Sequence, residues 1–167
     1  MIDPAHVREL LAEIPDPEIP AVTLVDLGIL RNVTIAGDLI TVDLTPTYSG
    51  CPATEMINTM VRETLAAHGF DKVRVHLKLD PPWSSDWITS DGRNKLKAYG
   101  IAPPAHCASN WASTNQPLQF IPPNAGIRCP RCDSHQTERL SQFGSTPCKA
   151  LYRCISCREP FDYFKPF

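Results

Sequence analysis

The chain has 167 residues, 43% of them apolar, and a formal net charge of −2. This apolar content is enough for a packed core and excludes wholesale disorder, and the charge lacks the basic excess of most nucleic-acid-binding domains. No apolar run is long enough to span a bilayer, and Met1 is followed by acidic and polar residues, not by the basic and apolar stretches of a signal peptide. We therefore expect a cytoplasmic protein with neither membrane nor nucleic acid among its partners.

The first elements predicted along the chain are a helix and a β-hairpin. Apolar residues between positions 5 and 14 recur at the spacing of one helical face, and the proline-rich run Pro15–Pro20 then requires a loop. Residues 30–35 and 39–44 are rich in β-branched and aliphatic side chains, which is typical of strands. Gly37 lies between them and predicts a tight hairpin turn.

A second helix, a third strand and a short final helix follow. Residues 53–68 carry one apolar face and end at Gly69, a good helix terminator. Apolar and polar side chains alternate from residue 73 to 79, which predicts a strand with one solvent-exposed face. A short helix then begins near Ser90 or Asp91, either of which can cap it. The order αββαβα predicts an α+β fold with helices on one face of a small sheet.

Composition and charge divide the chain further. Residues 101–126 are rich in Pro, Ser, Asn and Gln without periodicity, so we interpret them as a linker between residues 1–100 and 127–167. Residues 1–126 carry nine Lys/Arg and fourteen Asp/Glu, whereas residues 127–167 carry seven and four. The acidic first part and the basic last part indicate two separate modules.

The last module contains the strongest motif in the sequence. Cys129 and Cys132 form one CxxC pair, and Cys154 and Cys157 form a second. Two such turns can place four thiolates around one ion, and this pattern is typical of a structural zinc ribbon. Zinc is the default for a closed Cys₄ site, although the same ligands also bind iron. Together with the elements predicted before it, this motif indicates a small αββαβα domain followed by a C-terminal Cys₄ zinc ribbon.

Other residues of this region are less informative. The module also contains three arginines, Arg128, Arg131 and Arg139, which could contact nucleic acid or could simply be solvated surface residues. Because no patch of alternating basic and aromatic residues accompanies them, we favour the second interpretation. Cys148 is interpreted as a buried apolar residue, with a spare metal ligand as the alternative. Cys107 lies in the linker and receives no role.

Cys51 is the candidate functional residue of the first module. Pro52 suits the first turn of a helix, which places Cys51 at the N-cap, where free amides and the helix dipole lower the pKa of a thiol. Such a thiol can be a nucleophile, a redox group, a metal ligand or a small buried residue. The acidic residues Asp16, Glu18 and Asp26 favour transient binding of metal or of a cluster.

No set of catalytic partners accompanies this cysteine. His6, His68 and His76 occupy ordinary helix or strand positions, and the sequence lacks a GxSxG elbow, a phosphate-binding loop, a dinucleotide fingerprint and an HExxH motif. We therefore expect a protein that is not an enzyme.

Three motifs in the first module resemble a known family. Asp16–Pro20, Asp26–Ile29 and Thr45–Pro52 resemble the iron–sulfur cluster assembly domain of SufT-type proteins, over roughly residues 5–100. With the cysteines of the ribbon added, the chain resembles the PaaD family, small accessory proteins encoded with phenylacetyl-CoA 1,2-epoxidases.

This resemblance implies a non-catalytic accessory subunit in aerobic phenylacetate degradation. It implies that Cys51 binds a transient iron ion or iron–sulfur cluster, that zinc is held by the four ribbon cysteines, and that the partners are the oxygenase reductase and other epoxidase subunits. Because one thiolate cannot cage a cluster, the other ligands must come from a second chain in a homodimer, from the client or from nearby carboxylates. The alternatives are a structural subunit of the oxygenase, a nucleic-acid-binding zinc ribbon and a thiol oxidoreductase.

Overall fold

A computed structural model describes residues 3–104 and 127–167 of the chain. They form two compact units, Met1–Lys95 and Leu96–Phe167. The first unit contains a three-stranded sheet with helices, and the second contains a four-stranded sheet. The predicted α+β class and the αββαβα order of the first part are confirmed.

Helix α1 and the β-hairpin form where the sequence predicts them. Helix α1 spans Pro4–Ala12, and the Asp3 carboxylate caps it by accepting a hydrogen bond of 3.0 Å from the amide of Ala5. Strands β1 (Leu30–Ala36) and β2 (Leu39–Leu44) pair antiparallel. Gly37 in the turn between them has φ +64°, a conformation that glycine adopts without a Cβ clash.

Helix α2 (Ala53–Ala67) connects β2 to strand β3 (Val73–Leu77), which lies parallel to β2. A helical crossover is the usual way to join parallel neighbours. Helix α1 packs against α2 and β1, and α2 packs against β3, so the apolar face of the sheet is covered. The fully buried side chains of the two helices and of β2 are Val7, Leu11, Val61, Leu65, Ile40, Val42 and Leu44.

The segment after β3 returns to the loop before β1. Its short 3₁₀ turn, Ser85–Trp87, precedes helix α3 (Ser90–Tyr99). The indole nitrogen of Trp83 donates to the carbonyl of Leu27 at 2.9 Å. The cap of α3 differs from the prediction: the Thr89 hydroxyl, not Ser90 or Asp91, accepts the amide of Gly92 at 2.9 Å.

The second unit is a four-stranded sheet in the order β4-β7-β6-β5. Strands β5 (Thr137–Ser141), β6 (Lys149–Cys154) and β7 (Pro160–Phe164) form an antiparallel meander. Strand β4 consists of Ile101–Ala102, which the sequence assigned to the start of the linker, and it pairs parallel with β7. Both residues of β4 are buried, an environment that a two-residue segment cannot signal by periodicity.

No helix within the described part of the chain is both long and apolar enough to cross a membrane. Cys107 and most of the predicted linker lie outside the described residues.

Candidate functional site

The two CxxC turns of the second unit bring their four sulfur atoms together. All four Sγ atoms of Cys129, Cys132, Cys154 and Cys157 lie within 4.8 Å of one another. The Cys129–Cys157 and Cys132–Cys154 separations are 3.7 and 3.6 Å. A tetrahedron with Zn–S bonds of 2.3 Å has S···S edges of about 3.8 Å, whereas a disulfide bond is about 2.05 Å long. The cluster therefore has the dimensions of a four-thiolate metal site and not of a disulfide pair.

Backbone amides and hydroxyl groups fix this arrangement. The amide of Cys157 donates to the Sγ of Cys154 at 3.5 Å within the second turn. The first turn is closed by the amide of Asp133, which donates to the carbonyl of Cys129 at 2.9 Å. The hydroxyl groups of Ser134 and Ser156 lie 2.7 Å apart and link the two turns. The site is therefore organised by the fold around the cysteines as well as by their spacing.

The electrostatics of the four thiols favour a bound cation. The amide of Cys157 lowers the pKa of Cys154, although burial opposes this shift. The amide of Ser134 acts to lower the pKa of Cys132, but burial and the three neighbouring cysteines outweigh it and raise that pKa to about 12. Four sulfurs this close cannot all ionise without a positive charge between them, and a divalent ion removes that penalty.

Cys148 does not belong to this cluster. Its side chain is 3% exposed, and its Sγ lies 3.0 Å from the Thr146 hydroxyl. Among the described residues, the group of cysteines that can hold a metal consists of the other four. Cys148 therefore has the environment of the buried apolar residue that the sequence indicated.

Cys51 lies at the start of α2, but not in the predicted cap position. The helix begins at Ala53, and its N-cap is Pro52, whose side chain makes no capping hydrogen bond. The carbonyl of Cys51 accepts the amide of Thr54 at 3.2 Å, and the carbonyl of Tyr48 accepts the amide of Cys51 at 3.2 Å. Cys51 is thus half-buried in the turn that leads into the helix.

The expectation of a lowered thiol pKa is wrong. Burial raises the pKa of Cys51, and the carboxylates of Glu18 and Asp16 add to that increase. The amide of Ala53 and the Tyr48 hydroxyl act to lower the pKa of Cys51 without reversing this increase. A thiol that is protonated near neutral pH is a poor nucleophile, and no histidine is among the groups that shift its pKa.

Two of the three predicted acidic residues lie near Cys51. Glu18 and Asp16 both act on its pKa. The Asp16 carboxylate is buried and accepts the amides of Glu18 and Ile19 at 2.9 and 2.8 Å, which fixes the loop that carries Glu18. The loop that carries Asp16 and Glu18 therefore acts electrostatically on Cys51, whereas among the described residues the group placed to hold a metal ion is that of the four ribbon cysteines.

The carboxylate of Asp26, the third acidic residue, makes its contacts with residues other than Cys51. Its carboxylate accepts the amide of Thr23 at 2.9 Å and pairs with Lys95 at 2.8 Å. Burial acts to raise the pKa of Asp26, but the bonds from Lys95 and Thr23 outweigh it, so the pKa lies below its ordinary value. The contacts of Asp26 therefore indicate a structural role.

This lowered pKa predicts a pH dependence of stability. Because folded Asp26 holds its proton less tightly than in the unfolded chain, its contribution is complete above the ordinary aspartate pKa and is lost as pH falls through the lowered pKa. Asp26→Asn should reduce the free energy of unfolding by about 1–3 kcal/mol at pH 7 and flatten its decline in acid. Urea unfolding between pH 3 and 7 measures both effects.

Asp91→Asn is the matched control. Asp91 also pairs with Lys95 at 2.8 Å, but its side chain is 69% exposed, and exposed pairs contribute little. If the two variants lost equal stability, the buried carboxylate would not be the origin of the effect.

One residue beside Cys51 was missed by sequence analysis. The hydroxyl oxygen of Tyr48 is buried, and the hydroxyl group acts to lower the pKa of the Cys51 thiol. Tyr48 lies within the Thr45–Pro52 loop, so the motif contained it. The pattern of the loop did not show that the ring turns back toward the thiol.

Comparison with protein families matches the two parts of the chain separately. Residues 4–77 match the model of an iron–sulfur cluster assembly protein, and residues 114–165 match the model of the PaaD zinc beta ribbon domain. The first match contains Cys51 with Asp16 and Glu18, and the second contains all four clustered cysteines.

Individual relatives agree with this division. A protein of Escherichia coli (strain K12), provisionally named as the D component of 1,2-phenylacetyl-CoA epoxidase, is 52% identical over 98% of this chain and 95% of its own length. An Fe-S protein maturation auxiliary factor of Porphyromonas gingivalis is 34% identical over 54% of this chain and 87% of its own. A domain of unknown function from Bacillus anthracis superposes with a TM-score of 0.52 at 25% identity, covering 56% of this chain and 90% of that domain.

Proposed function

Because the chain belongs to the PaaD family of phenylacetyl-CoA epoxidase components, we propose that it is a non-catalytic accessory factor for assembly of an iron–sulfur cluster in the reductase of that oxygenase. In this proposal the first unit binds the iron or cluster that is being transferred, and the ribbon is a zinc-stabilised docking module. The partners are the reductase and the other subunits of the epoxidase.

The observation that carries this proposal is the match of residues 4–77 to the iron–sulfur cluster assembly model, a segment that contains Cys51 and the two acidic residues, Glu18 and Asp16, that act on it. A thiolate with acidic neighbours supplies only part of a ligand set for iron(II), so the remaining ligands would come from the client. When iron arrives, its charge favours loss of the thiol proton, so this site binds metal more readily than it attacks a carbon atom. An incomplete ligand set also suits release, because a carrier has to transfer its cargo.

The ribbon supports the second half of the proposal. Its four cysteines form a closed ligand set, which is the arrangement of structural zinc and not of an ion that exchanges substrate. Such a module folds around its ion and presents the surrounding surface to other proteins. A resident zinc ion in the ribbon and a transient iron ion near Cys51 are therefore separate features.

Cys51→Ser tests the carrier role. We expect the reductase produced together with this variant to contain as little iron and sulfide as reductase produced without the chain, while the variant keeps its fold and one zinc ion. Glu18→Gln should weaken maturation in the same direction, since it removes a carboxylate that acts on Cys51. Iron, acid-labile sulfide and visible absorbance of the purified reductase are the measurements.

Glu55→Gln is a suitable control, because Glu55 is an exposed acid in the first turn of the same helix. Full cluster content with Cys51→Ser would contradict the carrier role. If oxygenase activity were lost even with fully matured partners, a structural subunit would be the better description.

A further inference from the structure

The second CxxC turn carries a cationic cleft beside the metal site. Arg153, Cys154, Ile155 and Arg158 line an open cleft of about 420 Å³. Both arginines are exposed, and the side chain of Ile155 is 55% exposed. The cleft thus combines positive charge with an apolar contact at the tip of the ribbon.

The two arginines differ in their pairing. Arg153 is held by Glu138, with its Nε donating to a carboxylate oxygen at 2.8 Å. Within residues 3–104 and 127–167, no acidic side chain forms an ion pair with Arg158. Arg158 therefore supplies the unneutralised charge of the cleft.

The backbone of Arg158 is also unusual. Each CxxC turn is followed by a residue with positive φ, which is Asp133 at +57° in the first turn and Arg158 at +64° in the second. Aspartate tolerates this left-handed conformation through local hydrogen bonding, whereas a long side chain such as arginine is strained there and glycine is not. Strain retained at one exposed position suggests that the side chain has a function.

We propose that this cleft docks an acidic segment of the client protein, with a carboxylate of the client on the Arg158 guanidinium and an apolar side chain on Ile155. The guanidinium presents a fork of donors that matches a carboxylate, and the adjacent isoleucine favours a peptide over a bare anion. This inference rests on the proposed function, since it names the surface by which the client is recognised.

Charge and composition favour a protein over a nucleic acid. Residues 1–126 carry five more acidic than basic side chains and repel a polyanion. Among the described residues that line the cleft, none is aromatic, so none offers a ring on which a base can stack. A carboxylate-bearing segment needs only the local charge of the cleft and the contact with Ile155.

Arg158→Gly provides the sharpest test, because it removes the charge and relieves the strain together. We expect the full-length, zinc-loaded variant to melt at a higher temperature than the wild type, yet to bind purified reductase on the order of tenfold more weakly. Arg158→Lys keeps the positive charge and should therefore retain part of the affinity for the reductase. Ile155→Ser removes the apolar contact and should lose affinity for the reductase. Binding is measured by calorimetry at two salt concentrations, with thermal unfolding alongside.

Asp133→Gly is the matched control at the equivalent position of the other turn. It should leave the affinity for the reductase unchanged. Unchanged binding of Arg158→Gly would overturn the docking inference, as would a wild type that binds neither the reductase nor another epoxidase subunit. Faster loss of zinc from Arg158→Gly to a chelator would overturn it too, since Arg158 would then serve the metal site.

Failure of the carrier role can be told apart from failure of the docking inference. If the reductase matured normally with Cys51→Ser while Arg158→Gly bound the reductase more weakly, the carrier role would be contradicted and the docking surface would be supported. If the cleft bound RNA in preference to the reductase, and did so in a salt-sensitive way, its ligand would be a nucleic acid and the docking inference would be overturned.

Discussion

Cys154→Ser should abolish metal binding by the ribbon and unfold residues 127–167, while leaving the first unit folded. Binding of structural zinc contributes about 10–16 kcal/mol in small Cys/His modules, more than their cores provide. Here the buried cluster beside the site is small and includes two of the ligands, Cys129 and Cys154. A chelator applied to the wild type should have the same effect.

Zinc content per chain and amide exchange across β5, β6 and β7 measure this effect. Cys148→Ser is the control, because Cys148 is a buried cysteine in the turn that leads into β6, and its sulfur lies outside the four-cysteine cluster. It should keep one metal ion and show only the modest loss of stability expected when a buried thiol becomes a hydroxyl. A folded Cys154→Ser ribbon with one bound ion would contradict the four-cysteine assignment.

Gly28→Ala should destabilise the first unit by about 2–4 kcal/mol, the largest effect that we expect from adding one methyl group. Gly28 has φ +69°, and a Cβ at this position would lie 2.7 Å from both the Cβ and the carbonyl oxygen of Trp87. The Trp87 ring in turn stacks under the guanidinium of Arg31 at 3.6 Å. The added methyl group would therefore strain the backbone and displace the tryptophan segment.

Gly37→Ala separates these two causes. Gly37 has φ +64°, similar to Gly28, but no atom lies within 4 Å of a Cβ built on it. We expect a loss of about 1 kcal/mol from the backbone conformation alone. Urea unfolding, monitored by tryptophan fluorescence, measures the free energy of unfolding of both variants. Equal losses would show that a steric clash with Trp87 does not add to the cost of the substitution at Gly28.

Local patterns in the sequence were sufficient to predict the elements of the first unit. The period of the apolar residues identified α1 and α2, and alternating residues identified the three strands to within about two residues at each end. These signals succeed because one buried face imposes its spacing on each element separately. The resemblance to assembly proteins added the family, which the comparisons confirm.

The parallel pairing of β2 with β3 and the capture of Ile101–Ala102 by β7 were decided by tertiary structure. Strand partners depend on which segments meet in space, and a two-residue strand carries no period. The environment of Asp26 has the same origin, since its partner Lys95 is 69 residues away. The position of Asp26 in the sequence motif could not show that its carboxylate pairs with Lys95 and not with Cys51.

The two cysteine sites show the same division between sequence and fold. The spacing of Cys129, Cys132, Cys154 and Cys157 was enough to predict one cluster, because two short turns leave few other ways to arrange four thiols. For Cys51 the sequence predicted a position near a helix start and acidic neighbours, but gave the wrong direction for its pKa. Burial and the approach of Glu18 and Asp16 decide that direction, and both arise only when distant loops pack together.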